Sequence, residues 1–262
     1  PEWLIFARKG VTISDFPAIE RHLGQFREAL EPQPPGYDRK SGGAWPGRKA
    51  GTYKWFELQD PVDYYQEFGQ RKIVYQVIQF LPQYALDATG ALGNDKIFFI
   101  PTDDLYLLAV LNSPLMWWHN WRYLPHMKDE ALNPAGFLMG KLPIAEPFAD
   151  VRVAVVSAVQ RRIDLAKATY TVSGEFLDWL RMEFGVEKPG QKLDDFGSLD
   201  SDGFVQEVKK RMPKGTRVSP SALAELRRTF EEYAVPMRER QTEAQQLERR
   251  ISDLVNEAYG LT

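Results

Sequence analysis

Cysteine is absent from the 262 residues, which excludes a disulfide framework and any thiolate metal site, and is compatible with a reducing cytoplasm. Histidine is scarce. His22 reads as an exposed helix residue, His119 lies among tryptophans as a packed one, and with His126 they show no metal-ligand spacing. No apolar run approaches the roughly 20 residues of a membrane span, and no signal peptide opens the chain. Excess charge of either sign is missing too. With 33 Lys+Arg against 36 Asp+Glu the net charge is −3, so any polyanion must be met by cations concentrated locally.

Catalytic signatures are also missing. An amino-methyltransferase needs an Asn/Asp-Pro-Pro-aromatic turn and a Gly-rich loop after a strand. Asn133-Pro134-Ala135-Gly136 lacks the second proline and the aromatic, and reads as a turn. Glu207-Val208-Lys209, with Asp194 and Asp195 upstream, has nuclease-like spacing. However, Phe204, Val205, Val208 and Met212 make that segment an amphipathic helix. No nucleophile context or phosphate loop stands out. The expectation is a chain with no catalytic residues and no metal, which binds rather than reacts.

What is present is ample chain for a core, 44% hydrophobic and 26% charged. The start, Pro1-Glu2-Trp3-Leu4-Ile5-Phe6, enters an apparent strand directly and reads as a piece of a longer polypeptide. Residues 16–30 predict an amphipathic helix with Ile19, Leu23, Phe26 and Leu30 on one face. Residues 31–54, rich in Pro and Gly, predict a long exposed loop. "YKWFEL" and "RKIVYQVI" predict strands, residues 83–100 a hairpin, and the stretch after Pro101 a helix with Thr102 at its N-cap, closed by Asn112-Ser113-Pro114. An aromatic helix, "LMWWHNWRYL", follows. Beyond Pro147 the pattern is almost purely helical: 149–170, 175–184, 201–212, and a long stretch from Ser219-Pro220 to about Tyr259, kinked or broken at Pro236. Its last part is suited to an antiparallel helix pair.

Candidate binding residues gather in the loop, where Arg39, Lys40, Arg48, Lys49 and Lys54 alternate with Tyr37, Trp45 and Tyr53, and no acid follows Asp38. Arg71 and Lys72, Arg122, Lys128 and Asn133 extend the set. From composition alone, a solvated loop and a DNA-contacting one fit equally. Trp117, Trp118 and Trp121 read as core or interdomain packing rather than base stacking.

"IPTDDLYLL" followed by "LNSPL", together with "WFELQDPVDYYQEFGQRKIVYQVI", "YALDATG" and "KLPIAEP", resembles the TaqI-like specificity domain. That is the target-recognition region of type IIG restriction-modification enzymes and related adenine-specific DNA methyltransferases. The tail "FLDWLRMEFGVEKPGQKLDDF" and the closing "ISDLVNEAYGLT" are similar to the helical C-terminus of those proteins. Gln76 stands where the family usually has proline, and "MKDEALNPAGFLMG" replaces its Gly-Gly stretch.

The resemblance implies an α+β fold: a recognition domain with a small sheet over 1–147, then a mainly helical region over 148–262 ending in long helices. It implies sequence-specific recognition of double-stranded DNA in a bacterial or archaeal cytoplasm, with no membrane role. The methyltransferase and any nuclease, with S-adenosylmethionine and Mg, would belong to upstream domains of the same polypeptide. A helical protein-interaction scaffold without a DNA role is the alternative.

Overall fold

Proline and glycine punctuate the first seventy residues too often for long elements to form. The computed structural model describes residues 4–261, and of Arg39 and Ser41 only the backbone; Pro1-Glu2-Trp3 and the last residue lie outside the described residues. Two compact units result, 1–70 and 71–262.

The first unit holds three short helices, α1 (Pro17–Gly24), α2 (Arg27–Leu30) and α3 (Arg39–Gly42). The helix expected over 16–30 breaks at Gln25-Phe26: Phe26 leaves helical geometry at φ −111°, ψ 15° and stands half in solvent. The strands expected at 2–9 and 53–58 do not form among the described residues. In their place the buried carboxylate of Glu57 accepts from the backbone N–H groups of Gly10 (3.1 Å) and Lys54 (2.8 Å). Those amides are thereby withdrawn from any ladder.

The second unit opens with an antiparallel sheet of β1 (Lys72–Gln76), β2 (Tyr84–Asp87) and β3 (Ile97–Ile100), in the order β2-β1-β3. Residues 83–100 are therefore not a hairpin. β2 and β3 each pair with β1, placing Ile73 between Leu86 and Ile100 and Tyr75 between Tyr84 and Phe98. β1 takes the centre because it carries the fully buried Ile73 and Tyr75. The connection over 88–96 easily reaches across one strand, since two strand spacings are only about 10 Å. Lys72 lies directly opposite Asp87, and the two form a buried cross-strand ion pair.

α4 (Leu105–Asn112) and α5 (Pro114–Tyr123) follow. The cap of α4 is Asp104, whose carboxylate accepts from Tyr106 and Leu107; Thr102 sits two residues earlier and accepts from the Asp104 N–H. Ser113 caps α5 ahead of Pro114. After α6 (Gly136–Met139) comes α7 (Ala149–Phe184), a single helix of 36 residues where two were expected. "TYTVSG" is a poor helix former, but its partner helix holds it in register. α7 ends at Gly185, whose left-handed φ of 66° suits glycine. α8 (Gly190–Asp194) and α9 (Ser201–Arg211) lead to α10 (Pro220–Ala258), capped by Ser219. α10 runs through Pro236; the carbonyl of Glu232 that loses its partner belongs to an exposed residue, so water can satisfy it.

α7 and α10 lie antiparallel, with Arg161 bonded to Glu243, Arg162 to Glu248, and the ring of Phe176 against Tyr233. The pair serves two cores. At one end Val151, Val155 and Val159 join Val255, the sheet, α4 and Met116 of α5. At the other, Phe176, Leu180 and Phe184 join α9 and the first half of α10, with Phe204 stacked on Phe230 at 4.4 Å. The change in composition at 147/148 thus does not coincide with the spatial division, because the start of α7 shares a core with the sheet. The fold is α+β.

Burial pushes the Asp87 carboxyl up, but hydrogen bonds from Lys72 and Thr89 outweigh it and hold it down at about 2, against an ordinary 3.8. A depressed folded-state value means stability that is present above pH ~4 and lost as pH falls through about 2. That contribution is about 2 kcal/mol. Asp87→Asn should abolish this acid-limb dependence and, by removing the carboxylate opposite the buried Lys72 ammonium, cost about 3 kcal/mol at neutral pH. Denaturant melts from pH 2 to 7 check both. Gly174 is exposed within α7 with open space around its Cβ position, so Gly174→Ala should raise stability by about 1 kcal/mol in the same assay.

Candidate nucleic-acid interface

The cations that look alike in sequence sort into two kinds once placed. Arg48 is an internal clamp. Its guanidinium donates to the carbonyls of Leu30 (2.7 Å), Glu57 (2.8 Å), Lys54 (3.1 Å) and Trp55 (2.9 Å), and lies 4.4 Å from the centre of the Tyr53 ring. Its backbone bonds Glu31 and Gln33 as well. Next to it, Gly47 passes so close to the Glu31 carbonyl that a Cβ would sit 2.2 Å from that oxygen. The loop expected over 31–54 is therefore exposed but fastened. Lys72, buried against Asp87, is likewise committed inside the fold and leaves the set of phosphate-contact candidates.

The remaining candidates reach solvent. Lys40, Lys49 and Lys54 are exposed on the loop that Arg48 fastens, and the Lys54 ammonium lies 5.6 Å from the Phe56 ring. The side chain of Arg39 lies outside the described residues. Arg71, in the second unit, is half-exposed and paired with Asp103 at 3.1 Å.

α5 carries the feature that the sequence reading placed differently. Its buried residues are Met116 and Asn120. Trp118 and Trp121 are 54% and 40% exposed, so these two are not core, while Trp117 is half-buried. The reason lies in the helical period: Met116 and Asn120 share the inner face, which turns Trp118 and Arg122 outward, four residues apart. The Arg122 guanidinium rests 4.2 Å from the centre of the Trp118 ring. His119 is half-buried against Tyr123.

Beyond α5 the chain makes a tight turn. Met127 bonds Ala131 (2.7 Å), Asn133 bonds Pro125 (3.1 Å), and Leu132 pairs with Gln79. Asp129 and Glu130 take left-handed φ values of 59° and 61°, an unfavourable conformation for glutamate. His126 holds the turn. One ring nitrogen contacts the Trp121 carbonyl at 2.7 Å and the other the Glu130 carboxylate at 2.8 Å, both acceptors, a setting that favours the protonated ring. The carbonyl, then the carboxylate, raise its pKa above the usual 6.5. Lys128 is exposed at the tip, and the Asn133 side-chain oxygen is buried with no hydrogen-bond partner among the described residues.

Glu207 lies on α9, as its helical pattern predicts, and does not face a second acid. Lys210 (2.8 Å), Lys192 (3.4 Å) and Arg211 (3.9 Å) surround its carboxylate, and the Lys210 hydrogen bond holds it below the usual range against burial. Among the described residues no group of three acids or histidines is placed to hold a metal. No helix among the described residues is long and apolar enough to cross a membrane.

Residues 149–255 match a family described as a domain of unknown function (DUF8810). The match covers α7 through most of α10, and includes neither α5 nor the Arg48 loop. No curated protein matches the chain.

Arg48→Gln should lower stability by about 3 kcal/mol, while Lys49→Gln, at a side chain without such bonds, should stay within about 0.5 kcal/mol in the same melts. His126 should titrate above 6.5 in NMR spectra, and Glu130→Gln should bring its midpoint down. Because the folded-state value is raised, the turn keeps this support below pH 6.5 and loses it as pH rises through the folded value. Amide exchange at Met127 should show that loss as faster opening.

Proposed function

We propose that this chain recognises double-stranded DNA, as the sequence-reading module of an adenine-specific restriction-modification methyltransferase whose chemistry resides in other domains. The observation that carries the reading is the outward face of α5, where an arginine fork rests on an exposed tryptophan beside a strained turn. Arginine placed this way keeps its bidentate donors pre-arranged for a guanine edge or a phosphate pair. Lys128, exposed on the turn, supplies a phosphate contact. Lys40, Lys49 and Lys54, exposed in the first unit, are phosphate-contact candidates there. The division of labour lets the catalytic domains, with S-adenosylmethionine, act on an adenine turned out of the stack while this chain holds the duplex.

A protein-binding scaffold is the second reading, favoured by the exposed Phe148 (84%) and Val153 (69%) where α7 begins. Fluorescence anisotropy with a mixed-sequence duplex, titrated across salt, separates the two. Binding should weaken linearly in log salt. Arg122→Ala and Lys128→Gln should each lower affinity and make the slope shallower by about one. Wild-type affinity in both variants removes α5 from the interface, and no binding at low salt favours the scaffold.

A further inference from the structure

Five cationic residues, Lys209, Lys210, Arg211, Lys214 and Arg217, fall within nine positions at the end of α9 and in the turn after it, and no acid stands between Glu207 and Glu225. In a chain of net charge −3 this is a local concentration held against mutual repulsion. The helix dipole accounts for part of it, since cations suit the last turn of α9.

Two of the five also have structural work. Lys210 bonds Glu207, and Arg211 donates to the Lys188 carbonyl at 3.3 Å while lying over Gly190, where a Cβ would come within 2.5 Å of its guanidinium. Lys209, Lys214 and Arg217 are different. Their side chains make no ion pair or hydrogen bond among the described residues, and the last two lie beyond the helix altogether. The turn that presents them is built: Thr216 donates to the Pro213 carbonyl at 3.2 Å, and Gly215 supplies a left-handed φ of 87°. Turn and helix end enclose an open recess of about 350 Å³ walled by Lys209, Lys210, Lys214 and Thr216.

We infer that the 209–217 turn is a second phosphate-binding site, which takes the backbone of duplex DNA at the end of the α7–α10 pair remote from α5. Its ligand rests on the DNA-binding reading above; its residues and place in the fold do not. Met116 of α5 shares the core with Val155 of α7, whereas α9 packs on Phe176 to Phe184. The two sites are thus separated by roughly 40 Å of helix, about a dozen base pairs of duplex. A polyanion fits better than a single phosphate. A lone anion is held by convergent, desolvated donors, whereas these cations are exposed and strung along the chain. That spacing gains from counterion release at successive phosphates.

The test is anisotropy of the full chain with a labelled mixed-sequence duplex of about 30 base pairs, long enough to reach both sites. Lys209→Gln, Lys214→Gln and Arg217→Gln are combined in one variant, and Arg122→Ala with Lys128→Gln in another. The triple variant should lose roughly ten- to hundredfold in affinity near 0.1 M salt, with a slope shallower by about two to three. Its thermal midpoint should move by only about one or two degrees, because of the three only Lys209 lies in the last turn of α9 and none of the side chains makes a hydrogen bond or ion pair among the described residues. If it binds like wild type while the α5 variant is weakened, the inference is overturned and the α5 reading stands. If it is weakened while the α5 variant binds normally, the inference stands and the α5 reading falls. Capture by phosphatidylserine vesicles, abolished by the same substitutions without loss of duplex affinity, assigns the cations to a lipid surface and overturns it. Failure of wild type to bind duplex at low salt overturns both.

Discussion

The antiparallel pairing of α7 with α10 is the constraint on which the second unit depends. Neither helix has a continuous apolar stripe. The valines of α7 near its start face the sheet and α4, and the aromatics near its end face α9. Between them Leu165 is buried, and Arg161 bonds Glu243 and Arg162 bonds Glu248 across the pair. Exposed pairs of this kind contribute little energy each, about 0–1 kcal/mol. Their service is register: they align two helices so that both cores close at once. That is how "TYTVSG" and Pro236, each a local reason to stop, come to lie inside long helices. The apolar burial at either end outweighs a local penalty of about 1 kcal/mol at Gly174 and about 3 at Pro236.

The first unit is organised differently, by buried or half-buried charge that satisfies the backbone. Arg48 collects four carbonyls and Glu57 two amides, which together fix loops too rich in proline and glycine to form ladders of their own. This has a functional consequence. An arginine spent on carbonyls is withdrawn from the surface, yet it holds the neighbouring lysines out in solvent. Lys72 shows the same division in the sheet, where the Asp87 carboxylate directly across the ladder draws its ammonium inward. Charge type and spacing do not distinguish an organiser from a contact; the partner across space does.

The α5 face illustrates the limit in the opposite direction. Three tryptophans at helical spacing suggest burial, because large aromatics gain most from leaving water. The inner face, however, was taken by Met116 and by Asn120, a polar residue that pattern reading assigns outward. Once the helix is rotated by those two anchors, Trp118 and Trp121 are turned outward and Arg122 settles on one of them. The cation cluster after α9 was written openly in the sequence. Its significance emerged only when Lys210 and Arg211 were seen to be engaged and Lys209, Lys214 and Arg217 were not.

By itself the sequence determined the position of β1, the α4–α5 boundary at Ser113-Pro114, the start of α10 at Ser219-Pro220, and the helical character of the chain beyond Pro147. These are set within a few residues, by caps, prolines and apolar period, and local physics suffices for them. The tertiary structure alone decided that β2 and β3 flank β1, that α7 is one helix, and which cations face inward. Those outcomes depend on partners dozens of residues away: the strand that fills the centre of the sheet, the helix that lies along α7, and the carbonyls or carboxylate that capture a side chain. No local pattern carries the energy of contacts made only after the chain has folded back on itself.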